Sequence, residues 1–197
     1  MKELFGRTDD KSTWVYLSDG GHFENLGIYE LVKRRCQYII ACDASQDADL
    51  SFDDLGNAIE KCRRDLGVEV TIDVSRIRRG KSTEDNEPAW SGLHFAVGDI
   101  QYPGSGPTGA KLLYIKSSMT GEEPVDVLSY HKQHPAFPHD STANQFFDET
   151  QFESYRRLGE HVFESLREIA RNSGAGDQPE LGEFLVALQE YAVQASD

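Results

Sequence analysis

The sequence predicts an α/β fold, on three observations. A strand-length apolar run, a short amphipathic stretch and a second apolar run follow one another within about 30 residues, the order of a βαβ unit in a parallel sheet. A capped helix then leads into a cleanly alternating strand over 68–74. From residue 124 onward the apolar spacing is helical.

Taken in order, residues 14–18 (Trp14 to Ser18) are aromatic, β-branched and apolar, and read as a short buried strand ending at Asp19-Gly20-Gly21. Asn25 is placed to cap a helix running to about Arg35, with Ile28, Leu31 and Val32 on one side. Residues 37–43 form the second core strand. Ser51 and Asp54 fit a capping box, Leu55, Ile59, Cys62 and Leu66 have helical spacing, and Gly67 suits a C-terminal cap. Val68, Val70, Ile72 and Val74 then face one way along a half-exposed strand. Residues 76–92, polar and carrying Arg76, Arg78, Arg79 and Lys81, read as a mobile loop.

The next strand spans 93–102. Its alternation slips between Val97 and Ile100, which predicts a bulge at Gly98. A Gly/Pro loop from Pro103 to Ala110 and a return strand over 112–115 make a hairpin. Helices follow at 124–132, at 148–171 with Asp148 as cap, and at 179–194. The second has Phe152, Tyr155, Val162, Leu166 and Ile169 near one stripe. The last has Leu181, Phe184, Leu185, Leu188 and Tyr191 on its apolar side and no Lys or Arg, so its outer face is acidic. Gly174-Ala175-Gly176 divides a main unit, 1–172, from a helical tail, 173–197.

Acidic residues outnumber basic ones 34 to 20 over 197 residues, a net charge of −14, which argues against nucleic acid as a partner. No apolar run approaches the ~18 residues that span a bilayer, and the N-terminal stretch lacks the apolar core of a secretory signal. Three cysteines, Cys36, Cys42 and Cys62, read as reduced thiols used in packing, which suits a cytoplasmic protein. No cofactor is implied. Three basic knots, around Lys33-Arg34-Arg35, Lys61-Arg64 and Arg76-Lys81, can meet anionic headgroups or simply be solvated; the net charge disfavours strong membrane attraction.

Asp19-Gly20-Gly21 is the sharpest local feature. Ligands of open α/β sheets gather beyond the carboxyl ends of strands. A carboxylate there, followed by residues without Cβ atoms, leaves room for an incoming substrate. The same tripeptide is also an ordinary turn. His22 and Glu24 border it. Asp43, at the end of the second strand, reads first as a cap or turn residue. His131, His134, His139 and Asp140 offer metal-type ligands, but their spacing fits no standard motif and prolines interrupt them. A polar loop is the simpler reading, and no metal site is assigned.

The wider string from Val15 through Asp19-Gly20-Gly21-His22-Phe23-Glu24-Asn25 to Leu31, followed by Tyr38-Ile39-Ile40-Ala41-Cys42-Asp43, resembles the C-terminal part of the patatin-like phospholipase family, over roughly residues 14–66. Phe137 to Thr142 and Phe152 to Gly159 also resemble the tail of its large bacterial members. The resemblance implies a three-layer α/β sandwich, here in part, that hydrolyses lipid or other acyl esters with a Ser-Asp dyad. Asp19 would be the base, and Gly20, Gly21 and the helix led by Asn25 its supporting motif. Desolvation in a lipid-lined pocket would raise the Asp19 pKa.

The family's nucleophile lies in a Gly-x-Ser-x-Gly elbow, and no serine here has glycine at both −2 and +2. Ser18 neighbours Asp19 and projects to the opposite face. Residues 1–172 therefore read as the C-terminal part of such a domain, inactive alone. An expression fragment, a truncated gene product and one half of a split enzyme all fit. The absent half, or a second copy, would cover an otherwise open sheet edge. The alternative is a non-catalytic interaction or regulatory module that keeps the fold.

Overall fold

The computed structural model describes residues 19–78, 89–104 and 109–194. The strand expected at 14–18 and the centre of the expected loop, 79–88, lie outside the described residues. What is described is a mixed α/β fold with four strands in the order β1-β4-β3-β2, not closed into a barrel. The strands are β1 (Tyr38–Asp43), β2 (Glu69–Thr71), β3 (Phe95–Gln101) and β4 (Ala110–Lys116). β1 runs parallel to β4, whereas β3 is antiparallel to both β4 and β2. The expected β3–β4 hairpin is present; among the described residues the parallel component is one strand pair.

Helices lie against both faces of the sheet. On one side α1 (Ile28–Lys33) and α2 (Asp53–Leu66) bury Ile28, Val32, Leu55, Ala58 and Cys62 against Ile39, Ala41, Ala96 and Tyr114. On the other, α3 (Val125–Gln133), α4 (Glu149–Ala170) and α5 (Leu181–Gln194) bury Val127, Leu158, Val162, Leu166, Leu185 and Leu188 against Phe95, Val97 and Leu113. Lys111 Nζ ties α5 to the hairpin, donating to Asp99 and to Gln189 at 2.6 Å each. No helix among the described residues is long and apolar enough to cross a membrane.

Several helix boundaries differ from the sequence reading because side chains further away do the capping. α1 begins at Ile28 after Gly27, whose φ of 73° only glycine adopts without strain. Its first amides are met by Glu24, which accepts from Leu26 N and from Tyr29 N at 3.0 Å. Asn25 instead donates to Asp54 Oδ2 at 3.0 Å. At α2 the expected capping box is absent. Asp47 accepts from Ser51 N, Ser51 Oγ and Phe52 N. The Gly67 cap (φ 63°) and the Asp148 cap, which accepts from Gln151 N at 2.7 Å, stand where the sequence puts them. On α4 the buried stripe runs through Ser154, Leu158, Val162, Leu166 and Ala170, leaving Phe152 63% exposed.

The bulge expected at Gly98 is not there. β3 pairs with β4 residue for residue through Val97↔Leu113, Gly98↔Leu112 and Asp99↔Lys111. The alternation slips because Phe95, Ala96, Val97 and Gly98 are all buried, with a packed layer on each face. Gly98 is small for a packing reason: a Cβ there would lie 2.7 Å from Ile72 Cβ and 2.7 Å from the Thr71 carbonyl. Gly98→Ala is expected to destabilise the chain by about 1–3 kcal/mol, the usual cost of overpacking, measured by urea unfolding; an unchanged midpoint would contradict this packing account.

β1 is the outer strand of the described sheet. Its residues alternate, with Ile39, Ala41 and Asp43 buried and Tyr38, Ile40 and Cys42 exposed. Cys42 is therefore not a packing residue, in contrast with Cys62. Cys62 is fully buried, and burial first, then the nearby Glu24 and Asp65 charges, pushes its thiol up to about 11.

Candidate functional site

Asp19 has extended backbone (φ −68°, ψ 162°) and leads directly into a single 3₁₀ turn, Gly20–His22. Its Oδ1 accepts a hydrogen bond from His22 Nδ1 at 3.0 Å. The side chain is 81% exposed, beside an open cavity of about 560 Å³ lined by Asp19, Gly21, His22, Asn25 and Asp54. The His22 hydrogen bond, and then the His22 charge, hold the Asp19 carboxyl below its ordinary value. That is the reverse of the raised pKa expected for a base in a lipid-lined pocket. The physical reason is that no described residue buries it, so desolvation is too weak to oppose His22.

The two motif glycines differ in role. Neither has positive φ, so the conformational freedom of glycine is not used at this turn. A Cβ on Gly20 would meet nothing within 4 Å, whereas one on Gly21 would stand 3.1 Å from Asn25 Oδ1 and 3.3 Å from Asp19 Oδ1. Gly21 thus gives clearance to the carboxylate, and Asn25, anchored on Asp54, forms the opposite wall.

Asp43 is more than a turn residue. It is 3% exposed, and its Oδ1 pairs with Lys116 Nζ at 2.9 Å, inside the sheet. Tyr114 Oη donates to Oδ2, and Ser45 donates its N–H and its hydroxyl to Oδ1. Lys116 is itself fully buried and also lies 3.7 Å from Asp47. Burial alone would raise the Asp43 carboxyl; the Ser45 and Tyr114 hydrogen bonds and the Lys116 charge outweigh it, and the pKa is lowered. Each group is satisfied by its neighbours, and the cluster joins β1 to β4 at their carboxyl ends.

The histidines that the sequence brings together near 131–140 are not brought together in space as a ligand set. His131 Nδ1 bonds to the Phe137 carbonyl at 2.7 Å, His134 stacks on Tyr130, and Asp140 accepts from the Tyr155 hydroxyl at 2.9 Å. Among the described residues, the group of His, Cys, Asp and Glu side chains close enough to share an ion is instead His94, Glu123 and His161, whose ligand atoms all lie within 4.8 Å of one another.

Sequence reading does not single these three out, since they come from three distant segments: the residue before β3, the β4–α3 loop and the middle of α4. The available signal is His94 itself, a polar residue inside an otherwise apolar run from Leu93 to Val97. His94 is 5% exposed, and burial pushes its imidazole down to about 4, so it is neutral near pH 7. Ser118, His94 and Glu123 have the residue types of a catalytic triad. Ser118, however, is 1% exposed, which bars it from acting as a nucleophile on any external substrate.

Comparisons with known protein families, with curated proteins and with solved structures return no match to this chain.

Proposed function

We propose that this chain contributes the general base, Asp19, to a serine acyl hydrolase acting on lipid or related esters, with the nucleophile supplied by other polypeptide. The observation that carries the reading is the placement of Asp19: an exposed carboxylate at the mouth of a concave surface, with Gly21 and Asn25 shaping the space beside it. The patatin-like pattern of residues 14–66 gives that carboxylate its role. As it stands Asp19 is an exposed carboxyl that His22 holds below its ordinary value. It becomes a competent base only when a second polypeptide buries it beside a serine hydroxyl, raising its pKa and excluding water. Among the described residues β1 is the outer strand, with Ile40 49% exposed, so the sheet has room to be extended on that side.

A fluorophosphonate probe tests this. The chain alone is expected to stay unlabelled, and labelling is expected once an upstream polypeptide with a Gly-x-Ser-x-Gly elbow is joined or added. Labelling of the chain alone, or none in the assembly, sinks the reading. A non-catalytic interaction module is the second reading. It rests on the same exposed β1 side, and it predicts tight assembly with a partner and no labelling in any combination.

A further inference from the structure

We propose that His94, Glu123 and His161 form a binding site for one divalent transition-metal ion, of which zinc is the natural occupant. Two imidazoles and one carboxylate are the donor set of zinc sites that keep a fourth position open. The inference does not depend on the role given to Asp19.

Charge is the first support. The Glu123 side chain is fully buried, and its only ion-pair contact among the described residues is His94 Nε2, at 3.8 Å. No Lys or Arg among the described residues pairs with it. A carboxylate held inside a fold without a Lys or Arg partner is the kind of group that coordinates a metal. A divalent ion between the three side chains would supply the counter-charge.

Orientation is the second. Ser118 Oγ is hydrogen-bonded to His94 Nδ1 at 3.1 Å and lies 3.4 Å from the Lys116 carbonyl. Ser118 thus holds the ring so that its Nε2 edge faces Glu123 and Thr120. An outer-shell bond of this kind orients metal-bound histidines. Glu123 is aimed in the same way. The Thr120 and Gly121 amides donate to its two oxygens at 2.6 and 2.9 Å, and Oε2 keeps a free lone pair. Thr120 Oγ1 donates to Glu123 Oε1 at 3.2 Å and lies 3.3 Å from His94 Nε2.

Access and geometry are the third. A cavity of about 420 Å³ reaches His94 and Thr120 between β3 and α4, with Ser91, Glu122, Ser165 and Asn172 on its walls. It brings solvent-accessible space to the His94 side of the cluster. With metal–ligand bonds of about 2.1 Å, tetrahedral ligand atoms sit about 3.4 Å apart, so the present spread must contract. His161, half-buried on α4, is the least buried of the three ligands.

The test uses the 197-residue chain, stripped with a chelator and titrated with Zn²⁺ against a chromophoric zinc indicator. One equivalent is expected to bind, with a rise in Tm. His161→Ala, which removes a partly exposed side chain, is expected to fold, to lose at least about 100-fold in zinc affinity, and to lose the Tm rise; outer-shell changes alone cost 10–100-fold. Glu123→Gln is expected to do the same. The double variant His131→Ala/His134→Ala is expected to bind as the parent does. Co²⁺ is expected to give visible d–d bands in the parent and none in His161→Ala. The proposal is overturned if the parent binds no stoichiometric zinc, if His161→Ala binds as tightly as the parent, or if binding is lost in His131→Ala/His134→Ala instead.

Discussion

Lys116→Met is expected to lower the unfolding free energy by about 3–5 kcal/mol at neutral pH, the cost of leaving one partner of a buried ion pair without the other. The side chains of Asp43 and Lys116 are 1% and 0% exposed, so neither can be rescued by water. Methionine keeps most of the lysine volume and removes the charge together with its hydrogen bonds to Asp43 and Ser45. The loss then falls on Asp43, which retains its Ser45 and Tyr114 donors but no cation at hydrogen-bond distance. The double variant Asp43→Asn/Lys116→Met is expected to recover much of the loss, because a neutral pair avoids both desolvation penalties. Urea unfolding followed by circular dichroism measures all three; a single-variant loss under about 1 kcal/mol would contradict the account.

The same pair sets a pH dependence. Asp43 has a lowered carboxyl pKa in the fold, so its stabilising contribution is complete above the unfolded value of about 3.9 and disappears as pH falls through the lower folded value. The parent is expected to lose stability in acid below about pH 4. The deficit of Lys116→Met is expected to shrink in that same window, since protonated Asp43 no longer needs a cation.

How much of this was legible beforehand depends on whether the signal was local. The hairpin, the Gly67 cap, the Asp148 cap and the helices α3 to α5 follow from patterns within a few residues, and they stand where the sequence puts them. The helix starts after Asn25 and Ser51 were misread because Glu24 and Asp47, outside the usual cap positions, satisfy the amides. Gly98 was misread because a slipped alternation has two causes, a bulge or burial on both faces, and one strand's sequence cannot distinguish them. The long-range groups were not legible. Asp43 finds Lys116, and His94 finds Glu123 and His161, only once the sheet and α4 are assembled. At Asp19 the turn was readable but its exposure was not, since that depends on what covers it.

Asp19→Asn is expected to lower ester turnover by about 10²–10⁴-fold in the assembled enzyme, the usual contribution of a general base. Asparagine keeps the shape of the side chain and its contact with His22, while removing the lone-pair basicity that takes the serine proton. Assembly and fold should therefore be unaffected, and the loss should fall on kcat rather than on KM, because the proton moves only as attack begins. The decisive measurement is kcat for a short-chain p-nitrophenyl ester, parent against Asp19→Asn, with the serine-bearing polypeptide present in both. A fall of at least 10²-fold at unchanged KM is the result this account predicts. An unchanged kcat would remove Asp19 from the chemistry and leave the chain an interaction module.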